Sequence, residues 1–505
     1  MFGILLESTM HSPLRMIILG LLSAGFATAE EKKQEPSKPP PKPVVTNASV
    51  KIGDREITYR ATAAKLILKK ENGDPRAAIF HVSYERTNVK RGHNRPVVFA
   101  FNGGPGSSAV WLHLGALGPR LVPTTKSGTK PLPPPRRVIE NPHTILDVAD
   151  LVFIDPVSTG YSRVEKDTKP AEFHGFRGDV ESVSDFIRRW ITEHERWGSP
   201  KYLLGESYGG IRAAGVARHL QKRYGMNLNG VILLSSLLDY RTIRSGVGDD
   251  LSQSVFLPGL TAVAHHHKRI VGDRDKLVAE AKEFAFGDYA TALLQGNDLP
   301  QNRRVEIARR LSKLTSLPTD LFLENDLRVS SSRFRKELLR DKNLVVGRFD
   351  GRVAWPAQSK SSDYPSYDPS YSVVYGAFST AMLDYLTREL GWKEDNPYEI
   401  LTGKVQPWDY GAENSYINVT GQLVEAMRDN PQLRVLVQAG YTDLATPSAG
   451  IEHSLRHIFS LPKSRRRRIE IAYYDAGHMF YLNEPDLAKM RTDLLKFMAK
   501  PAKKK

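Results

Sequence analysis

The 505-residue chain contains no cysteine. That excludes a disulfide framework, a thiol nucleophile, a cysteine-ligated zinc site and an iron–sulfur cluster. It says nothing about redox compartment, because a chain without thiols is indifferent to it. No stretch reaches the roughly 18 apolar residues that a membrane-crossing helix needs, so no transmembrane segment is expected. Acidic residues are outnumbered: 56 Asp+Glu stand against 72 Lys+Arg, a formal net charge of +16. No zinc-finger, helix-turn-helix or RNA-recognition signature accompanies that excess, so specific nucleic-acid binding is not expected. Metal-ligand spacing is also missing. His265, His266 and His267 are consecutive, their side chains point apart, and no acidic pattern surrounds them. No metal or cofactor is expected.

Apolar residues make up 40% of the chain and aromatics 9%, enough for a sizeable core. At about 150 residues per domain the length suggests three domains, or fewer large ones. The positive charge is uneven. Residues 241–420 hold 24 Lys+Arg and 24 Asp+Glu, whereas 1–240 hold 33 and 23, and 421–505 hold 15 and 9. The C-terminal excess is mostly Arg465 to Arg468 and the tail ending Lys503, Lys504 and Lys505. Such runs are usually solvated and suit weak adhesion to anionic surfaces. The sequence carries no signal for an oligomeric state.

Residues 16–25 (MIILGLLSAG) are a short apolar run, preceded by Arg15 and followed by Ala27-Thr28-Ala29. A charged start, a run too short to span a bilayer and an A-x-A site read as a signal peptide over 1–29. Residues 30–43 (EEKKQEPSKPPPKP) are charged and proline-rich and should form a solvated, extended tether. The expectation is an exported protein, periplasmic or secreted.

From Val44 the pattern changes. Residues 48–90 alternate like strands of a meander. The continuous apolar run Pro96 to Phe101 suits a strand buried on both faces, Leu151 to Asp155 reads as another buried strand, and Tyr202 to Leu204, Val231 to Leu234, Leu433 to Gln438 and Ile469 to Tyr474 read as further strands. Helical spacing separates several of them, for example Val183, Phe186, Ile187 and Trp190, and a closing helix covers 484–499. Runs alternating with helices predict an α/β fold with a mostly parallel central sheet. The alternation stops near Asp239 and resumes near Leu433. The expected organisation is a core over 44–240 and 426–497, an inserted, mainly helical cap over 241–425, and a basic tail over 498–505.

Gly205-Glu206-Ser207-Tyr208-Gly209 follows a strand and opens an alanine-rich helix. G-x-S-x-G in that context makes a sharp turn that lifts Ser207 Oγ clear of the sheet. A hydroxyl nucleophile needs a base, and the base needs an orienting carboxylate. The chain order for this architecture is Ser, acid, His. Asp443 follows the strand RVLVQAG, and His478 follows IEIAYYDAG. Of 14 histidines, only His478 sits at a late strand end in a glycine-containing turn. His453 and His457 fall on a helix. Asp475 competes with Asp443 but lies very near His478 in sequence. An acyl-transfer site also needs donors aimed at a developing oxyanion. The loop Asn102 to Ser108 (NGGPGSS) follows an early strand and can supply the Gly104 N–H. The Tyr208 N–H, just after the nucleophile, is its natural partner.

These blocks, together with Leu117-Gly118-Pro119, Asn141-Pro142, Asp155-Pro156-Val157 through Ser162, GESYGG and Ala476-Gly477-His478-Met479, resemble the serine carboxypeptidases. The resemblance runs over roughly residues 90–240 and 430–485. It implies an α/β-hydrolase fold. It implies Ser207 as nucleophile, His478 as general base and acid, Asp443 as orienter, and the Gly104 and Tyr208 N–H groups as oxyanion hole. It also places Asn102 and Glu206 where the family binds the substrate's terminal carboxylate. The implied activity is release of C-terminal amino acids from peptides through an acyl-enzyme, without a cofactor. Acyl transfer, ester or amide hydrolysis on the same fold, or binding without catalysis, are the alternatives. Departures from the family are specific. The second glutamate that usually pairs with the first is Ala116 here, the usual tryptophan is Ala100, the usual Gly-Asn-Gly is Ser235-Ser236-Leu237, and the disulfides are absent. They bear on carboxylate recognition and leave the triad intact. A disulfide-free, exported member favours a bacterial origin.

Overall fold

The computed structural model describes residues 42–89, 95–413 and 415–499, all within one unit of the chain. The expected leader (1–29), nearly all of the tether (30–43) and most of the tail (498–505) lie outside the described residues. Three long strands open the fold: β1 (Val44–Ile52), β2 (Arg55–Lys69) and β3 (Pro75–Arg86). They pair antiparallel in chain order, and β2 alternates buried and partly exposed side chains, as the expected meander requires. Five-residue strands β4 (Val97–Phe101) and β5 (Asp150–Ile154) follow, then β6 (Lys201–Glu206), β7 (Gly230–Leu234), β8 (Arg434–Gly440) and β9 (Ile469–Tyr474). The order across the sheet is β1-β2-β3-β5-β4-β6-β7-β8-β9, with Arg163–Val164 added beside β3. All pairs from β5 to β9 are parallel.

Every residue of β4, β5, β6 and β7 is buried, because helices cover both faces. The period of two sorts their side chains. Val98, Ala100, Leu151 and Phe153 join one cluster, with Phe378 and Leu386 and with Leu487, Leu494 and Phe497 of the closing helix (Glu484–Met498). Val97, Phe99, Phe101, Val152 and Ile154 join the opposite one, against α1 (Phe176–Glu193) and α2 (Tyr208–Tyr224). Val183, Phe186, Ile187 and Trp190 form the buried stripe of α1, at the spacing read from the sequence.

The chain between β7 and β8 divides by what it packs against. Residues 251–346 bury their own cluster, including Val255, Phe284, Leu311 and Phe334, closed by Leu444 and Ala449 from beyond β8. Residues 373–400 instead return to the sheet, where Val374, Phe378, Leu386 and Trp392 enlarge the first face. Residues 405–427 complete the other face through Val405, Trp408 and Met427.

One ion pair ties the layer together under the site. Arg212 of α2 donates to both carboxylate oxygens of Asp179 on α1, at 2.9 and 2.8 Å, and its Nη1 reaches Asn102 O at 2.5 Å. Both side chains are buried. Removing one partner leaves an uncompensated group in a dry interior, which costs far more than an intact pair is worth. Asp179→Ala should therefore lose about 3–5 kcal/mol of stability in urea unfolding; a loss below about 1 kcal/mol would contradict this role.

Candidate active site

β6 ends and α2 begins with one residue between them. That residue, Ser207, has φ 61° and ψ −126°, a backbone that side-chain-bearing residues rarely adopt. The neighbours make the turn feasible. A Cβ on Gly205 would stand 2.0 Å from Gly209 O, and one on Gly210 would stand 2.5 Å from Ser236 Cβ. Ser207 N–H is anchored on Leu234 O at 3.0 Å, and Gly210 N–H on Ser207 O at 2.9 Å. Over 201–217 every residue is buried except Ser207, which is half-buried. The turn lifts this one hydroxyl out of the core.

The loop after β4 packs directly on this turn. A Cβ at Gly103 would stand 2.4 Å from Tyr208 N and 2.7 Å from Glu206 O, so only glycine fits. Gly104 follows at φ 102°. Tyr208 opens α2, and the first N–H groups of a helix have no intrahelical acceptor. The loop's far side is stitched to the returning segment, where Thr402 N–H donates to Gly106 O and Ser108 N–H to Ile400 O, each at 2.9 Å.

Asp443 and His478 come together at the ends of β8 and β9. Nδ1–H of His478 donates to Asp443 Oδ2 at 2.7 Å. This leaves Nε2 free to take a proton. Asp443 Oδ1 accepts the Ala445 and Thr446 N–H groups at 2.7 and 2.9 Å. Thr446 Oγ1 lies 2.8 Å from Asp443 Oδ2 and 2.7 Å from Ser235 O. Close glycine packing sets the loops: a Cβ on Gly440 would meet Gly477 O at 2.2 Å. Burial lowers the His478 pKa, but the Asp443 carboxylate, with help from Glu206, outweighs it and holds the group above its ordinary value.

Glu206, on the strand side of Ser207, is buried, and Tyr481 Oη donates to its Oε2 at 2.9 Å. Burial pushes its carboxyl up to about 7, against hydrogen bonds from Tyr481 and Asn102 and the nearby His478. Asn102 Oδ1 accepts Leu112 N–H at 3.2 Å, which leaves its amide nitrogen for Glu206.

Asp475 is elsewhere: it is exposed and pairs with Arg274 at 2.5 Å. His265 and His267 bond backbone carbonyls of Gly272 and Gly351, and His453 stacks on Phe286. Among the described residues no group of three or more His, Asp or Glu side chains is placed to hold a metal ion. Three contributors had no signature in sequence. Phe349, from the region between β7 and β8, accepts His478 N–H on its carbonyl at 2.5 Å and packs its ring at 5.2 Å from the imidazole. Thr446 was discoverable only from its position three residues after Asp443. Tyr481 was discoverable only from its position three after His478.

The strand order, the sharp serine turn after β6 and the Asp–His pair in the loops after the last two strands define an α/β-hydrolase fold. A family model described as serine carboxypeptidase matches residues 69–475, so the chain belongs to the serine carboxypeptidase family. Serine carboxypeptidase-like 36 of Arabidopsis thaliana is 24% identical over 246 residues, 47% of this chain and 47% of its own length. The retinoid-inducible serine carboxypeptidase of Rattus norvegicus is 26% identical over 280 residues, 52% of this chain and 55% of its own. The chain thus spans about half the length of these two curated relatives. A crystal structure of a prohormone-processing carboxypeptidase from Saccharomyces cerevisiae shares the fold, with a TM-score of 0.53 at 16% identity over 87% of this chain and 91% of that one. No helix among the described residues is long and apolar enough to cross a membrane.

The Asp443–His478 pair makes a titration prediction. A raised folded-state pKa means that the pairing stabilises the fold below the ordinary value of about 6.5 and fades as pH rises through the raised one. In Asp443→Asn burial is opposed only by Glu206, so the His478 midpoint measured by NMR should drop below about 6.5. A midpoint that stays where the unsubstituted protein has it would show that Asp443 does not govern this imidazole.

Proposed function

We propose that this protein is a serine-type carboxypeptidase that releases C-terminal amino acids from peptides. The observation that carries the reading is the Asp443–His478 pair at 2.7 Å, whose imidazole lies close enough to Glu206, the residue before Ser207 in a strained turn packed against a glycine loop, for their charges to act on each other. Ser207 Oγ attacks the last peptide carbonyl and its proton passes to His478 Nε2. The carbonyl oxygen becomes an oxyanion held by the N–H groups of Gly104 and Tyr208. The C–N bond then breaks, His478 returns the proton to the leaving amine, and an acyl ester remains on Ser207. Water, deprotonated by His478, cleaves that ester and restores the serine. Asp443 keeps the imidazole in the required tautomer, with Thr446 steadying the carboxylate.

Asn102 and Glu206 are assigned to the free carboxylate of the substrate. A buried carboxyl with a pKa of about 7 is largely protonated below that pH and can donate a hydrogen bond to a carboxylate. This is why a carboxypeptidase, rather than an esterase or acyltransferase, is the reading the site favours. The helices of 251–346 are proposed as a cap bordering the site, within the inserted region 241–425. Export belongs to the same reading, with cleavage after Ala29 into a periplasmic or secreted form. The mass of the exported protein should then begin at Glu30, and a retained leader would refute that part.

Ser207→Ala should lower kcat on a blocked dipeptide by roughly 10⁴ or more while leaving the fold intact by circular dichroism. Persistent hydrolysis in that variant would sink the assignment. The unsubstituted enzyme should cleave a free C-terminus and strongly reject the same peptide amide. Equal rates on the two would favour an amidase or esterase.

A further inference from the structure

Glu206 is held by a residue whose position bears on substrate recognition. Tyr481 leaves the loop that carries His478 and runs back beneath the serine turn. Its phenol and the Glu206 carboxyl are both buried, at 1% and 3% exposure, and the hydrogen bond between them is 2.9 Å. The ring is locked on two sides. On one side it meets edge-on, with centroids 6.0 Å apart, the ring of Phe480, which itself stacks flat on Tyr474 at 3.9 Å. On the other side the ring presses on the turn of helix His113–Leu117: a Cβ at Gly115 would stand only 2.7 Å from Tyr481 Cε2. Ala116 follows, a methyl group with nothing to offer a carboxyl. The groups facing Glu206 are therefore Tyr481 and Asn102 as hydrogen-bond donors, with His478 and Asp443 as nearby charges.

The direction of the bond matters. Burial and the Glu206 carboxyl keep the phenol protonated far beyond neutral pH. Among the described residues the phenol has no other hydrogen-bond partner, so its proton goes to Glu206 and Oε2 accepts. A carboxylic acid whose Oε2 is an acceptor carries its own proton on Oε1.

We propose, on the carboxypeptidase reading above, that Tyr481 is a positioning residue for substrate recognition: its phenol pins Oε2 of Glu206, so that the acid's proton rides on Oε1 and is presented to the free carboxylate of the substrate. When Glu206 ionises, two carboxylates face each other and the free C-terminus is repelled, whereas an amide substrate is not. Tyr481 also stabilises the ionised form, because its hydrogen bond is stronger to a carboxylate than to an acid. It thus lowers the pH above which a free C-terminus is lost, against the burial that raises it.

The test is the pH dependence of kcat/KM for one blocked dipeptide as free acid and as amide, in the unsubstituted enzyme, Tyr481→Phe and Glu206→Gln. Fluorophosphonate labelling of Ser207 checks each site. Tyr481→Phe keeps the ring and removes the donor. The alkaline limb for the acid should move up by about one pH unit relative to that for the amide. Glu206→Gln, which cannot ionise, should lose that limb. An unmoved limb in Tyr481→Phe, a downward shift, or a shift shared equally by acid and amide would overturn the proposal. So would an alkaline limb that persists in Glu206→Gln, a measurement that stands even if Tyr481→Phe does not fold. A labelled unsubstituted enzyme that treats acid and amide alike would overturn the carboxypeptidase reading itself, and the proposal with it.

Discussion

The backbone at Ser207 is the constraint on which the site depends. A positive φ at a residue with a side chain costs of order 1–3 kcal/mol and persists only where the surroundings over-determine it. Here they do. The strand before the turn is locked in register between β4 and β7, and the helix after it packs on α1. Gly205, Gly209 and Gly210 allow approaches that any side chain would block. The same tightness that strains Ser207 brings Gly103 against Tyr208 N and Glu206 against Tyr481. The proposed nucleophile, oxyanion donors and carboxylate-binding acid are thus consequences of one turn.

Two further features hold that turn in relation to the base. The buried Arg212–Asp179 pair, reaching Asn102 O, links α1, α2 and the glycine loop beneath the site. On the other side, residues 348–351 are stitched to both late loops. Leu444 N–H donates to Arg348 O, Gly351 N–H to Thr442 O and His478 N–H to Phe349 O. The region between β7 and β8 therefore fixes the loops that carry Asp443 and His478. Without disulfides, this positioning rests on packing and on buried polar contacts.

Much of this was legible in the sequence. Strands buried on both faces leave continuous apolar runs, as at Val97–Phe101 and Asp150–Ile154, and the other runs, including the partly exposed edge strand Ile469–Tyr474, also became strands of the sheet. The G-x-S-x-G turn and the Asp and His after late strands were readable because this chemistry needs them at strand ends in that order. Other parts were not readable. Tyr481 and Phe349 lie in segments without a motif, and only the folded geometry brings one to Glu206 and the other to His478. Asp179 and Arg212 are 33 residues apart on helices whose apolar stripes gave no hint that a charge lay within the packed layer. The region between β7 and β8 read as one balanced-charge insertion, because periodicity marks helices but not which core they join. Ala116 was visible as a missing acid, while the phenol beside it was not.

The central claim is that the strained turn makes Ser207, and no other hydroxyl, a nucleophile activated by His478. Labelling with a fluorophosphonate, followed by mass-spectrometric mapping, tests it most directly. The account predicts one adduct, on the peptide that contains Ser207, and its loss in His478→Ala. An adduct on a different residue, or undiminished labelling of Ser207 without His478, would contradict it.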